Sequence, residues 1–401
     1  MTRGTCRTRF VGALVAALSV AGACSSNDAD GSGGDTGAVE VTTTEATERS
    51  AAFAERGPYS VGTMSLTLGD GRRAVVWYPA APTPDAESAT ENFDIAALLS
   101  AELQSKIPDS DRPRYPIGAT SGAAAADDGP YPVVLFSHGY AGFPEQSADL
   151  VTHLASWGMV VAAPDHVERS LGGLLGPAAQ GVEPSTDPAV LSAALDAVIA
   201  EAGTDGSPIR DLVDAERVAV GGHSAGAAAA FRTASTDERI DGFISYSVGY
   251  EGLMTPRDGG APAAIPAVPG VVMLGSIDDT IPAESSRSLY AAMTAPKALV
   301  EIADSGHLVF SDICLIGRDQ GGLAGLVRKV GLDLPENILK LATDGCQPEA
   351  LAAENAFDAI DHLSVSFFRW VFGEEDTPVG FDQETIDRLD SATVTVTAQF
   401  G

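Results

Sequence analysis

Short apolar runs recur between about residue 60 and residue 302, and their pattern changes along the way. Val61 to Leu68 alternates apolar and polar positions, Gly69-Asp70-Gly71 supplies a turn, and Ala74 to Tyr78 reads as a second strand, so this region predicts a hairpin. Further on the alternation is lost. Val133 to Phe136, Met159 to Ala163, Val218 to Val220, Gly242 to Val248, Val271 to Leu274 and Ala298 to Ile302 offer apolar residues to both sides of a strand. Helical stretches at about Glu145 to Ser156 and Asp187 to Ala202 lie between them. That combination predicts an α/β fold, a mostly parallel sheet covered by helices on both faces. The long polar stretch before Pro130 contains one helix-like patch, Phe93 to Lys106, and is otherwise irregular. After the sheet, Cys314 to Cys346 holds one or two helices and Leu351 to Trp370 is amphipathic. No long-period repeat is present, so one domain over residues 57–401 is expected, with insertions at about 85–128 and 311–350.

The strand ends carry the chemistry. Gly222-His223-Ser224-Ala225-Gly226 follows an apolar run and precedes the helix-forming Ala227 to Ala230. Strand, tight G-x-S-x-G turn and helix together make a nucleophile elbow, in which the glycines let backbones approach closely and the serine stands at a strained tip. A serine hydroxyl needs a base. Of the six histidines, His223 lies inside the elbow and faces away from the base position, while His153 and His362 fall within helices. His307, in Asp304-Ser305-Gly306-His307 after the last strand run, stands where the base is expected. An acid that orients it belongs after Val271 to Leu274, where Asp278 and Asp279 compete. The spacing usual among proteins that carry such an elbow sets the acid four residues before a proline; resemblance to that pattern selects Asp278, ahead of Pro282, and leaves Asp279 as the alternative. Oxyanion donors are expected from the Ala225 N–H and, after the turn at Gly139, from the Tyr140 N–H. His138 is expected to pack and hydrogen-bond beneath that loop.

Taken in order, Trp77-Tyr78-Pro79, Phe136-Ser137-His138-Gly139, Ala163-Pro164-Asp165-His166, the Ser224 elbow, Asp278 with Pro282, and Gly306-His307 resemble the motifs of α/β-hydrolases. The set is most similar to bacterial serine esterases related to platelet-activating factor acetylhydrolase and often labelled dienelactone-hydrolase-like, over roughly Tyr59 to Phe372. True dienelactone hydrolases use cysteine, so that activity is not implied. The resemblance implies an α/β-hydrolase fold and a Ser224–His307–Asp278 triad that cleaves carboxylic esters through an acyl-enzyme, without cofactor or metal. Short-chain or lipid esters are the expected substrates. Polyester hydrolysis, or peptidase or acyltransferase chemistry, are the other enzymatic readings, and a non-catalytic binding lipoprotein is the last.

The first residues add a compartment. Arg3, Arg7 and Arg9 precede the apolar run Phe10 to Ala23, too short for a mature membrane span, which reads as a signal segment over 1–23. Ala21-Gly22-Ala23-Cys24 resembles a lipobox, so the chain is expected to be exported and anchored through lipidated Cys24, or cleaved and secreted. Residues 24–56 read as a polar tether. Of four cysteines only Cys314 and Cys346 remain for the folded part, as one disulfide or two free thiols. With 24 Lys and Arg against 55 Asp and Glu, the net charge is -31, which disfavours nucleic acid.

Overall fold

Along strand β6 (Tyr131–Ser137), Val133 and Leu135 pack into one hydrophobic cluster while Val134 and Phe136 pack into another. Successive residues of a strand point to opposite faces, so a strand apolar at every position must be covered on both. The computed structural model obeys this for its neighbours. It describes residues 52–82, 90–254, 261–294, 296–331, 336–389 and 392–400. The signal segment, Cys24 and most of the tether lie outside them. Among the described residues no helix is long and apolar enough to cross a membrane.

The hairpin pattern gives β1 (Ser60–Thr67) and β2 (Arg73–Ala80), paired antiparallel. The polar insertion contributes β3 (Asn92–Asp94), β4 (Arg114–Pro116) and β5 (Thr120–Ser121). Then follow β6, β7 (Val160–Pro164), β8 (Val213–His223), β9 (Ile240–Tyr246), β10 (Gly270–Gly275), β11 (Lys297–Ile302) and β12 (Val394–Gln399). Ten strands form one sheet in the order β12-β11-β10-β9-β8-β6-β7-β2-β1-β5, parallel from β7 through β11. One face packs on the helices Ala148–Ser156 and Phe357–Val371, the other on Asp187–Ala202, Ala225–Ala234 and Ala283–Ala292. From β6 the chain steps to β7 on one side and returns to β8 on the other. The crevice outside the ends of β6 and β8 is therefore the topological switch point at which an open α/β sheet binds ligands.

Three expectations need correction. Phe93 to Lys106 is not one helix: β3 leads into a 3-10 turn, Ile95–Leu98, and a short helix, Ala101–Gln104. Asp94 caps the first and Ser100 the second, and each cap restarts the chain in a new direction. The helix expected from Leu351 begins only at Phe357, behind a 3-10 turn at Ala353–Asn355. The packed chain also begins within the stretch assigned to the tether, because Phe53 is buried edge-on against Trp157 and stacked on His362. His153 and His362 are both buried within helices, and His153 bonds the Phe53 carbonyl through Nε2 at 2.7 Å.

The two insertions pack on each other. Ile95, Leu99 and Ile107 from the first meet Ile316, Leu326 and Val330 from the second in a separate small core above the strand ends. A disulfide joins Cys314 to Cys346 and closes the second insertion. It holds two helices, Gly322–Lys329 and Glu336–Leu341.

Asp312 anchors this roof at a cost that depends on pH. Its buried carboxylate accepts the Asp149 N–H at 3.0 Å, at the start of the helix Ala148–Ser156. Burial first, and then the nearby Asp149 carboxylate, raise the Asp312 carboxyl to about 7. A folded pKa raised above the unfolded one favours the folded state at low pH, and that contribution is lost as pH rises from the ordinary carboxylate range through about 7. Asp312→Asn, neutral throughout, is expected to gain stability over the wild type between pH 4 and 8, on the order of 4 kcal/mol at 1.36 kcal/mol per unit. Urea midpoints at pH 5 and pH 8 check this. A variant no more stable at pH 8, relative to wild type, than at pH 5 would contradict it.

Candidate active site

Ser224 sits where β8 ends and the helix Ala225–Ala234 begins, at φ 59° and ψ -120°. A serine does not choose that conformation, and the packing around it leaves no other. A Cβ on Gly222 would fall 2.3 Å from the Gly226 carbonyl oxygen, and one on Gly226 would fall 1.9 Å from that of Ser137. Only glycines let the elbow press against β6, and the pressed turn lifts Ser224 toward the crevice.

His307 begins a 3-10 turn after β11. Its Nε2 lies 2.8 Å from Ser224 Oγ and its Nδ1 lies 2.8 Å from Asp278 Oδ2. The Nδ1–H therefore donates to the carboxylate and Nε2 is left to accept the serine proton. Asp278 is buried in the turn after β10. Its Oδ1 accepts the N–H groups of Thr280 at 2.8 Å and Ile281 at 2.6 Å, and Ser247 donates its hydroxyl to Oδ2. Burial opposes ionisation of Asp278, but the His307 hydrogen bond and charge, helped by Ile281 and Ser247, outweigh it and hold the carboxyl below its ordinary value. Asp279 is not part of this line. Its exposed carboxylate pairs with Lys340 at 3.0 Å.

The loop after β6 is fastened from below. His138 is buried and accepts the His166 N–H at its Nε2, so its Nδ1–H donates to the Gly139 carbonyl at 2.9 Å. Burial lowers its pKa and favours the neutral ring. The Arg169 guanidinium, itself buried, donates to the carbonyls of His138 and Gly139 and to Ser137 Oγ, and pairs with Asp187 at 3.2 Å. The left-handed residue of the loop is Ala141, at φ 54°, and not Gly139. Its N–H is held by the Arg169 carbonyl at 2.7 Å, which is why alanine tolerates the conformation. No acceptor takes the Tyr140 N–H among the described residues, and Ala225 is the first residue of its helix, whose N–H has no partner within it.

His223 takes no position beside Ser224 Oγ. It forms a relay between the loop and His307. Gly139 N–H donates to Gln146 Oε1 at 3.0 Å, Gln146 Nε2–H donates to His223 Nδ1 at 3.0 Å, and His223 Nε2–H donates to the His307 carbonyl at 2.9 Å. Burial first, and then the His307 charge, push the His223 pKa down to about 3, so the ring stays neutral. Asp344, from the roof, is a second tie. Its carboxylate accepts the N–H of Asp279 at 3.1 Å and of Thr280 at 2.9 Å, the Thr280 hydroxyl at 2.6 Å and, at 3.4 Å, the N–H of His307. It thus binds the loop that carries Asp278 to the loop that carries His307. Among the described residues no group of three or more His, Cys, Asp or Glu side chains is placed to hold a metal ion.

The cavity above Ser224 measures about 330 Å³ and is lined by Gly139, Ser224 and His307 at its floor and Tyr140 at its edge, with roof residues around it. A family model described as chlorophyllase matches residues 121–249, which include the loop after β6 and the elbow. The solved structure of a ferulic acid esterase from Streptomyces cinnamoneus matches with a TM-score of 0.53, over 86% of this chain and 97% of that one, at 22% identity. The chain has the α/β-hydrolase fold. Among curated proteins, none matches it. Along the chain Ser224 follows β8, Asp278 follows β10 and His307 follows β11.

Proposed function

We propose that this protein is a carboxylic-ester hydrolase that works through an acyl-enzyme on Ser224. The observation that carries the reading is the continuous hydrogen-bonded line from Asp278 through His307 to Ser224, ending at an apolar cavity. The kinds of protein it resembles, a chlorophyllase family and a ferulic acid esterase, agree with ester cleavage. Ser224 Oγ attacks the ester carbonyl while His307 Nε2 takes its proton, and Asp278 stabilises the imidazolium. The N–H groups of Tyr140 and Ala225 receive the oxyanion, each worth roughly 3 kcal/mol to the transition state. Collapse of the tetrahedral intermediate expels the alkoxide, which takes the His307 proton. Water then repeats the cycle on the acyl group and frees the acid and Ser224.

The sequence of residues 1–24 supports an exported enzyme, anchored through a lipid on Cys24 or released, that meets its ester outside the cytoplasmic membrane. Polyester hydrolysis ranks second, because a flat polymer surface does not slide its ester beneath a roof. A fluorophosphonate probe tests the reading: it should label the wild type and leave Ser224→Ala unlabelled. An unlabelled wild type would favour a binding protein that merely keeps the fold.

A further inference from the structure

We infer that the cavity above Ser224 receives a flexible aliphatic chain of the ester, and that the enzyme selects such chains over short acyl groups and over polar aromatic groups of the feruloyl kind. This rests on the hydrolase reading above and names the substrate class of that site.

The walls carry it. Leu171, Leu174 and Leu175 form one side, from the segment after β7, and Leu99 comes from the first insertion. Leu308 and Ile313 follow the base. The second insertion closes the top with Leu323, Leu326, Val327, Val330 and Leu341. Four separate stretches of chain thus converge on one cavity, and each presents methyl groups to it. No charged side chain lines it, and its polar side chains are Ser224, His307, His223 and Gln146 on the floor and Tyr140 at the mouth. His223 and Gln146 are already engaged in the relay to Gly139 and His307. A phenol, a carboxylate or a phosphate carried to the far end would lose its water and find no partner. A hydrocarbon chain loses nothing there.

Size agrees with shape. At about 330 Å³ the cavity lies within the roughly 300–1,000 Å³ of ligand pockets, room for a chain of many carbons, and an acetyl group leaves most of it empty. The mouth continues the theme. Tyr140 and Leu174, two of the three exposed large hydrophobic residues among those described, stand at the cavity's edge and carry apolar surface outward.

The test has two arms for the chain and one for the pocket. The first measures kcat/KM on p-nitrophenyl esters from acetyl to palmitoyl, and the second on alkyl acetates from ethyl to decyl. The arm that rises tells whether the chain enters with the acyl group or with the alcohol. We expect a rise of at least about thirtyfold from the two-carbon to the ten-carbon member in one arm, and methyl ferulate below that ten-carbon ester. Acetyl or methyl ferulate above every ten-carbon ester would overturn the inference while leaving the hydrolase reading intact. Val330→Trp, which fills the top, should lower the ten-carbon to two-carbon ratio by at least about tenfold. Leu174→Asp at the exposed rim should lower the same ratio and guards against a folding defect in the first variant. An unchanged ratio in both would also overturn it. The pocket arm removes chemistry altogether: the Ser224→Ala protein should bind 1-decanol at least about tenfold more tightly than ferulic acid by calorimetry. Equal or reversed affinities count against the chain pocket, whereas absence of Ser224-dependent turnover of any ester counts against the hydrolase.

Discussion

Ser224→Ala is expected to lower kcat/KM on a p-nitrophenyl ester by about 10⁴–10⁶-fold, with the fold unchanged by circular dichroism. The elbow holds a serine in a conformation with positive φ, and alanine at the same place keeps the backbone and loses only the hydroxyl. His307→Ala should cost about as much, because a serine proton with no acceptor stays on the serine. The double variant should be no worse than either single one. Non-additivity is the signature of groups that act as one unit. Ser224→Ala activity within a hundredfold of the wild type would remove Ser224 from the chemistry, and losses that multiply would separate the two residues.

Asp278→Asn is expected to lower kcat by about 10³–10⁴-fold, whereas Asp279→Asn should stay within about twofold. Adjacent aspartates are chemically alike, and their surroundings divide them. Asp278 is buried, accepts the His307 Nδ1–H, and is held by two backbone N–H groups and Ser247. Asparagine there would offer the wrong partner to Nδ1 and disturb the tautomer that leaves Nε2 free. Asp279 faces solvent with Lys340, and an exposed pair of that kind contributes about 0–1 kcal/mol. Side-by-side kinetics of the two variants decide it; a collapse of Asp279→Asn with a mild Asp278→Asn would reverse the assignment.

What could be read in the sequence was whatever one short stretch of chain determines. The doubly apolar runs placed most parallel strands to within about two residues, since the fully buried part of a strand leaves little room for polar positions; β8 is the exception, beginning five residues before its run because its first half, Val213 to Arg217, is only partly buried. The elbow was visible because its glycines and serine are consecutive. Tertiary partnerships were not. Gln146 is 77 residues from His223, and Asp344 is 64 residues from Thr280. Neither position stands out from other polar residues until the fold brings the partners together. Val394 to Thr397 does alternate, but as an edge strand with a mostly exposed face it gave too weak a signal among the polar residues near the C-terminus. The turn at Ala141 was missed for another reason: its left-handed backbone is imposed by Arg169, and alanine carries no local sign of it.

Asp344 stands two residues before Cys346, and Gly345 lies so close to Gly306 that a Cβ there would meet the Gly345 Cα at 2.5 Å. The stretch that roofs the cavity is therefore sewn at its far hem to the loops that carry the acid and the base. Variation within 322–341 is free to enlarge, shrink or reshape the chamber, and a change at 344–346 reaches the reacting atoms. Relatives that diverge in diet should differ in the middle of this cover and agree at its seam. A graft meant to transplant selectivity should stop short of that seam.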